Sequence, residues 1–567
     1  MRGEGGHPAR QHVRLLILFA VLYVAVVAPH FSKAYVDFGD GNYLYISRRM
    51  TEGVVLYRDI LAPQPPCHLL VGSGLIRLGR LFSDRVEAQL YAVRTFSLLL
   101  HLATMVLVWS ISLRLFGRAS TAIWGAGLYL IIPVGFWWTL GYQSECLEVF
   151  FLLLSFRLLL RWTRPSAVAA GIVAALAVST NMTAVCYGGW IGLSLLYFDW
   201  RRALYYILPA VAAVGAFVGV GEWLSGGHYL ENVVFNQVGT FPHPDLLGWV
   251  EPGAPLRGLQ SVLRYAAYKI AAEGGDVMAR EGIFIAAAVA GLLLYLRPSE
   301  RPEHEAGNPA LEGTSNPGLR IPDSSKIQNP KSKIERAFVG WYGFWSFLAI
   351  GFVAKGATMD YIVTIGEPFI CIFAAYALTD LGRRLFAPEQ LTGRLPQNRP
   401  RVLVAAVAVL GLTVLLAWPA LWIYAVVHNQ AQYELDAESV ERVQWAIAGY
   451  SRPGDAILAP PYYAFISNCT LIEEHSEFFI WDIQYRLEQL DEPATGPATA
   501  KIERIAAALR EKAIPVVVHT MDRATTRPQQ IYSIPVVKQA IEDNYEPLLP
   551  RPIPTLNTRI NILVPRM

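Results

Sequence analysis

Residues 89–113 read QLYAVRTFSLLLHLATMVLVWSISL, and this stretch decides the class of protein. A helix that crosses the hydrocarbon core of a bilayer needs about 20 mostly apolar residues, and this stretch provides them with Arg94 near its start. Comparable windows recur along the chain and predict about eleven spans. They are residues 14–30, 89–113, 119–138, 146–162, 166–183, 185–199, 203–224, 281–297, 337–354, 359–380 and 402–427. The sequence therefore predicts a mostly α-helical, polytopic membrane protein.

The composition leads to the same class. Of the 567 residues, 53% are hydrophobic and 16% are charged, whereas soluble proteins average about 25% charged residues. Such a low content of charge cannot cover a wholly water-facing surface. The net charge of +3 and the five scattered cysteines also argue against a nucleic-acid-binding protein and against a disulfide-stapled secreted protein.

The distribution of basic residues predicts the orientation. Arg10 and Arg14 precede the first span, Arg114 and Arg118 separate the second from the third, and further basic residues flank later spans. With eleven spans these residues all fall on one side, which the positive-inside rule identifies as the cytoplasm of a plasma-membrane protein. The opposite, extracytoplasmic side then receives residues 31–88, a loop at 225–280 and everything after 427.

Two further regions follow from composition. Residues 300–334 are rich in Pro, Gly, Ser and Asn and are predicted to be a disordered cytoplasmic loop. Residues 428–567 read as ordinary soluble sequence in which a helical stripe (Ile502, Ile505, Ala506, Leu509) alternates with short apolar runs at 456–459, 514–519 and 559–564. The sequence predicts a transmembrane domain over 1–427 and a small extracytoplasmic α/β domain over 428–567.

The first outer loop, residues 31–88, is the best candidate for chemistry. Tyr43, Ile46 and Met50 have helical spacing, which predicts a helix lying in the membrane interface. Charged residues crowd the same segment: Asp37, Asp40, Arg48, Arg49, Arg58 and Asp59. Charges at this depth can act on a lipid headgroup while the lipid tail stays in the bilayer.

The order of several short motifs resembles the GT-C membrane glycosyltransferases, in particular family 39, which includes protein O-mannosyltransferases and the aminoarabinose transferase of lipid A. The loop carries Asp40-Gly41, Gly53, Tyr57-Arg58-Asp59 and Pro65-Pro66. The later matches are Arg94, Arg114 to Gly117, Pro133, Gln143 to Phe150, and Asp360-Tyr361 followed by Pro368. The resemblance covers about residues 10–425 and implies the GT-C fold.

The resemblance also implies a function and roles for residues. Enzymes of this family take a sugar from a polyprenyl-phosphate donor at the outer membrane face and transfer it to an acceptor hydroxyl with inversion. A carboxylate must accept the proton of the acceptor hydroxyl, and a cation must stand beside the departing phosphate. The resemblance assigns the catalytic carboxylate to Asp40, and Asp59, Glu145 and Glu148 are further candidates. The candidate phosphate-binding residues are Arg58 first, then Arg49, Lys355 and Gln64.

Two positions depart from the family pattern. Gln64 stands directly before the proline pair, where relatives often carry a lysine, and Asp360-Tyr361 stands where relatives commonly show His-Tyr. A neutral amide does not offset phosphate charge, so Arg58 would have to do so. Tyr361 remains a candidate contact to donor or acceptor.

Each assignment has a purely structural alternative. Asp40 could cap a helix, and Asp59 could be the ion-pair partner of Arg58. Lys355 could snorkel to the interface, and Tyr361 could be an interfacial aromatic anchor. Glu145 and Glu148 lie at the outer edge of their span, where a charge costs little.

The predicted partners are the polyprenyl-phosphate sugar donor, a glycan, lipid or protein acceptor, and membrane lipids, with no nucleic acid. No metal-ligand spacing is present in the sequence, and use of a divalent cation is left open because enzymes of this fold differ in it. The alternative function is a lipid-linked glycan flippase or another transporter; a cell-wall glycan receptor is a third. Transporters commonly carry charged residues near the bilayer midplane and internal repeats, and neither pattern is clear here.

Overall fold

The computed structural model of the chain describes residues 7–31, 38–62, 64–132, 141–235, 259–296, 337–340, 359–386, 417, 421, 437–475, 497–522, 531–554 and 558–567. Its helices up to residue 386 are α1 (His7–Val27), α2 (Phe38–Thr51), α3 (Cys67–Phe82), α4 (Val86–Phe116), α5 (Ala119–Ile131), α6 (Ser144–Leu159), α7 (Arg164–Val178), α8 (Ala184–Phe198), α9 (Trp200–Ser225), α10 (Leu259–Leu296) and α11 (Met359–Phe386). Within these described ranges, a helix coincides with every predicted span except 337–354 and 402–427. Those two windows lie almost wholly outside the described residues.

The described helices include several that could cross a bilayer. Four segments are both long and apolar enough: Val86–Phe116, Trp200–Ser225, Met278–Leu296 and Thr364–Arg383. Shorter apolar helices lie at Gln11–Val27, Ala119–Ile131, Arg164–Val178 and Ala184–Phe198. Long apolar helices mark a membrane protein, because a helix satisfies its own backbone hydrogen bonds within the hydrocarbon region.

Glycines permit the closest helix contacts in the apolar region. Gly171 of α7 lies directly against the carbonyl oxygen of Tyr206 in α9, and Gly291 of α10 lies directly against that of Phe373 in α11. A methyl group at either glycine would collide with the facing backbone. Small residues of this kind let membrane helices pack at short range, where van der Waals contact is strongest.

The basic residues at one end of the helices are held by protein partners. Arg118, just before α5, lies 3.8 Å from the Asp380 carboxylate in α11. Arg202 in the first turn of α9 lies 4.0 Å over the ring of Trp162 and donates to its carbonyl oxygen at 3.0 Å. These contacts join residues near the ends of the helices to the neighbouring segments.

The C-terminal region combines short helices with two small sheets. Its helices are α12 (Ala437–Tyr450), α13 (Pro461–Ile466), α14 (Pro497–Arg510) and α15 (Pro535–Asn544), and its strands are β1 (Ala456–Ile457), β2 (Thr470–Leu471), β3 (Val517–Asp522), β4 (Tyr545–Pro547), β5 (Ile553–Pro554) and β6 (Thr558–Pro565). β1 and β2 pair in parallel, whereas β3, β4 and β5 all pair antiparallel to β6. The four residues of the predicted helical stripe are buried in α14. The apolar runs predicted as strands overlap β1, β3 and β6.

Helix α2 differs from its predicted position. Instead of presenting one apolar face to the membrane interface, residues 41–48 are all buried within the protein. On one side α2 packs against α3, where the Ser47 hydroxyl donates to the Leu69 carbonyl at 3.2 Å. On another it packs against α13, whose Phe465 carbonyl accepts from Arg48. The physical reason is that protein, and not lipid, covers both faces of the helix.

Candidate active site

Three segments meet at the end of the helices remote from the basic residues: α2, the start of α3, and the start of α6. The ring of Tyr43 lies edge-on to that of His68, with centroids 4.3 Å apart. The hydroxyl of Tyr142, just before α6, donates to the carbonyl oxygen of His68. Burial lowers the pKa of His68 to about 3, so this imidazole is neutral at physiological pH. The first outer loop is therefore packed directly on the carboxylate-bearing end of α6.

Two buried glutamates form the polar centre of this end. Glu145 accepts from the amide of Asn181 at 3.2 Å and from the Ser144 hydroxyl at 3.1 Å. Glu148 accepts from the Thr183 hydroxyl at 2.6 Å. The other oxygen of Glu148, Oε2, is buried and has no hydrogen-bond partner among the residues that the structure describes.

This difference separates the two carboxylates chemically. Both oxygens of Glu145 are engaged, so its geometry is fixed by the protein itself. The Oε2 atom of Glu148 is buried and accepts no hydrogen bond from the described residues. Burying such an acceptor costs free energy unless a further group, such as a ligand, donates to it. Of the two, Glu148 is the better placed to receive a hydrogen bond or a cation from outside the chain.

The first predicted catalytic residue, Asp40, is placed only through its backbone. It lies in the first turn of α2, three residues before Tyr43, and its side chain lies outside the described residues. Three residues are close to one helical turn, so position 40 is on the α2 face that carries Tyr43.

Arg58 and Asp59 pair with each other. The guanidinium donates to both carboxylate oxygens of Asp59, at 2.8 and 3.0 Å, and the Val55 amide donates to Asp59 Oδ2 at 2.8 Å. The Arg58 hydrogen bonds lower the pKa of Asp59. The side chains are 53% and 36% exposed, so Arg58 remains accessible to a ligand while Asp59 also holds the turn.

Gln64 is tied to the same turn. Its carbonyl oxygen accepts from the Tyr57 hydroxyl at 2.8 Å, and Tyr57 adopts a left-handed φ of 71°. The side-chain oxygen of Gln64 is buried without a hydrogen-bond partner among the described residues. A bulky residue such as Tyr57 takes a left-handed conformation only where the surrounding contacts fix it. The hydrogen bond from Tyr57 places Gln64 directly beside the turn that carries Arg58.

Arg49 forms a hydrogen-bonded ion pair with Glu474 of the C-terminal region. It donates to Glu474 through Nε at 2.8 Å and through Nη2 at 2.5 Å, and it also pairs with Glu52. The Arg49 and Glu474 side chains are only 16% and 17% exposed. Burial acts to lower the pKa of Arg49, but the hydrogen bonds and charge of Glu474 outweigh it and raise the pKa.

A double-mutant cycle tests this ion pair. We expect Arg49→Gln and Glu474→Gln to lower the free energy of unfolding by similar amounts. The double variant should be little less stable than either single variant, which corresponds to an interaction energy of about 1 kcal/mol between the two side chains. Thermal unfolding in detergent gives all four values. Additive losses would contradict the pairing. The donor KM, measured in parallel, decides whether Arg49 also contacts phosphate, because only then does Arg49→Gln raise it while Glu474→Gln does not.

The remaining predicted site residues are not described in detail. Lys355 lies outside the described residues, and Tyr361 is placed in the first turn of α11 by its backbone alone. Among described residues, no three His, Cys, Asp or Glu side chains lie close enough to hold a metal ion.

Sequence reasoning missed the partners of the glutamates. Asn181 and Thr183 lie at the end of the predicted span 166–183 and were not among the candidate residues. Two polar residues so close together at the end of an apolar window are the signal that could have indicated them. His68 and Glu474 gave no comparable signal.

These features define the protein as a class: a polytopic membrane fold in which residues 38–82 pack on the end of an apolar helix that carries two buried carboxylates. The likeness to solved structures identifies this as the GT-C fold. The chain is similar to ArnT from Cupriavidus metallidurans bound to undecaprenyl phosphate, with 13% identity, a TM-score of 0.55, and coverage of 96% of this chain and 97% of that one.

A second group of similar structures comes from Archaeoglobus fulgidus. Its oligosaccharyltransferase AglB, in complex with an inhibitory peptide and a dolichol-phosphate, is 13% identical with a TM-score of 0.53, and the match covers 95% of this chain and 73% of that one. The apo form gives 13% identity and a TM-score of 0.54, with 94% and 73% covered. The sequence matches no protein-family profile and no curated protein sequence. At these identities the likeness shows the fold.

Proposed function

We propose that this protein is an integral-membrane glycosyltransferase. It transfers a sugar from a polyprenyl-phosphate donor to an acceptor hydroxyl, with inversion, at the outer face of the plasma membrane. The observation that carries the proposal is the likeness over nearly the whole chain to ArnT bound to undecaprenyl phosphate and to AglB with dolichol-phosphate. The packing of α3 against the end of α6 that carries Glu145 and Glu148 supports it independently.

The orientation rests on the two ends of the helices. α6 begins at the glutamates and ends at Leu159, close to the Arg164 that opens α7. The basic residues thus lie at the opposite end of α6 from the glutamates. The positive-inside rule assigns the basic end to the cytoplasm, which leaves the candidate site on the outer side.

In the proposed reaction Asp40 is the general base. Its carboxylate accepts the proton of the acceptor hydroxyl as the hydroxyl oxygen forms a bond to the sugar C1. The bond between C1 and the phosphate oxygen breaks at the same time, and polyprenyl phosphate leaves with the electron pair. Attack from the face opposite the leaving group gives inversion. Asp59, Glu145 and Glu148 are further candidates for contact with the sugar.

Cations stabilise the departing phosphate in this proposal. Arg58 is the first candidate, because its guanidinium is exposed on the turn that also fixes Gln64. Arg49 and Lys355 are further candidates, with Arg49 depending on its release from Glu474. Tyr361 would contact the donor or acceptor. A divalent cation, if the enzyme uses one, would neutralise charge at the phosphate, and Glu148 Oε2 is the described atom best suited to face it.

Reconstitution in proteoliposomes tests the function. Labelled pentosyl and hexosyl undecaprenyl phosphates are added one at a time with an envelope extract as acceptor. We expect one donor to release undecaprenyl phosphate and to place its label in an acid-stable glycosidic bond. The alternative of a flippase predicts that labelled lipid crosses the bilayer with no new bond. That outcome, with every donor intact, would overturn the assignment to a transferase.

A further inference from the structure

A buried arginine of the first outer loop caps a helix of the C-terminal region. Arg48 of α2 donates to the carbonyl oxygens of Phe465 at 2.8 Å and Ala464 at 3.3 Å, and also to that of Cys469. The last carbonyls of a helix have no partner within it. The Ala464 and Phe465 carbonyls accept the amides of Cys469 and Asn468, and the guanidinium adds charged donors to the same end of α13. Arg48 is only 1% exposed. A charge buried this deeply is retained only where its hydrogen bonds compensate for lost water.

The same face of α2 makes a second set of contacts. The Leu471 amide donates to the Tyr45 hydroxyl at 2.7 Å, and that hydroxyl donates to Glu474 at 2.8 Å. Burial raises the pKa of Tyr45, so the phenol keeps the proton it donates. Together with the pair between Arg49 and Glu474, three side chains within five residues of α2 join this helix to residues 464–474.

The C-terminal partner is itself a strained segment. Glu473 and Glu474 both adopt left-handed φ values, 54° and 48°. Non-glycine residues persist in this conformation only where surrounding contacts hold them. The contacts that do so come from Arg49 and Tyr45 on one side and from Arg504, 2.8 Å from Glu473, on the other.

Arg48 lies on the same short helix as the proposed general base. The two residues are eight positions apart, which is about 12 Å along a rigid α-helix. A helix this short has no independent stability in water, so its position depends on what packs against it. The two packed sides are α3 and residues 464–474.

We propose that Arg48 is a positioning residue: by capping α13 it docks the C-terminal region onto α2 and thereby fixes Asp40 in the site, so that the C-terminal region is a working part of the catalytic centre. The inference rests on the proposed function for its link to catalysis. It assigns to residues 464–474 a role in turnover that does not require contact with either substrate.

Arg48→Met tests the positioning role in the full-length protein in proteoliposomes. We expect kcat to fall about 100-fold, because a displacement of about 1 Å is enough for such a loss, while the donor KM stays within about twofold. Arg48→Lys keeps the charge but loses the several donors of the planar guanidinium, so it should recover part of kcat. Added guanidinium should partly rescue Arg48→Met. A wild-type kcat in Arg48→Met would overturn the proposal.

Tyr45→Phe is the conservative second variant, because it removes two hydrogen bonds and preserves the ring. It should lower kcat by about tenfold at an unchanged donor KM. Arg77→Met is the matched control, because Arg77 is an exposed arginine of α3, the other helix that packs on α2. We expect it to keep the wild-type kcat. Equal losses in Arg77→Met and Tyr45→Phe would contradict a specific role for the contact with residues 464–474.

Hydrogen exchange separates this proposal from the proposed function. In Arg48→Met, amides of α2 should exchange at least about tenfold faster while those of α4 stay unchanged. Faster exchange in a protein that shows no glycosyl transfer would support the docking and count against the transferase. Unchanged exchange in α2 would overturn the docking, even in a protein that transfers sugar.

Discussion

Replacing Asp40 with asparagine is expected to abolish glycosyl transfer and to leave the protein folded. The substitution keeps the shape and removes the only feature that the proposed reaction needs, a carboxylate that can take a proton. Loss of a general base typically costs 10²- to 10⁴-fold in rate, so we expect about a 1,000-fold lower kcat. The donor KM should change little, because Asp40 acts on the acceptor hydroxyl.

The control for this prediction is Asp84→Asn. Asp84 is exposed between α3 and α4 in the same outer segment, so it tests the effect of removing one acid there. Both variants are compared with wild type for expression, thermal midpoint in detergent, and initial rate in proteoliposomes. Full turnover by Asp40→Asn would end the assignment of Asp40 as the base. Equal losses in both variants would show an effect of charge and not of catalysis.

The second large effect is expected at Glu148. Glu148→Gln keeps an oxygen that accepts from Thr183 and replaces the other, buried carboxylate oxygen by an uncharged NH₂ group, which can only donate. If Glu148 Oε2 faces the sugar or a cation, loss of its charge should lower kcat by about 100-fold or more. Glu145→Gln should cost less than about tenfold, because Asn181 and Ser144 already occupy the Glu145 carboxylate.

Glu87→Gln is the matched control, an exposed glutamate in the first turn of α4. Initial rates and donor KM for the three glutamine variants, measured at equal amounts of folded protein, give the ranking. A wild-type rate in Glu148→Gln would remove this carboxylate from the site. A larger loss in Glu145→Gln would show that Glu145, and not Glu148, meets the substrate.

The position of the polar cluster favours the proposed transferase over a transporter. Glu145 and Glu148 lie in the first two turns of α6 and are joined by hydrogen bonds to the segment that follows α7. A charged site at a helix end, covered by an outer loop, suits chemistry on a headgroup at the interface. Transport of a lipid-linked glycan would favour charges along the middle of the spans.

The sequence pointed to the two acidic candidates of α6 but not to the residues that hydrogen-bond to them. Glu145 and Glu148 could be identified because acidic residues at the end of an apolar window stand out against it. Their partners could not, since Asn181 and Thr183 lie 36 and 35 residues away along the chain. Arg49 was predicted to bind phosphate on the strength of its charge alone, and the sequence contains nothing that would pair it with Glu474.

What the sequence by itself determined is which segments form the long apolar helices. Apolar windows become helices α4, α9, α10 and α11 because partitioning into hydrocarbon depends on the local run of residues, and the backbone then has to bond within each helix. The apolar runs of β3 and β6 follow in the same way from local pattern. Tertiary structure alone decided the surroundings of α2, whose spacing predicted contact with lipid. Arg48 meets Phe465 across 417 positions of sequence, and no local pattern encodes such a contact, because burial of a charge depends on the groups that other segments bring to it.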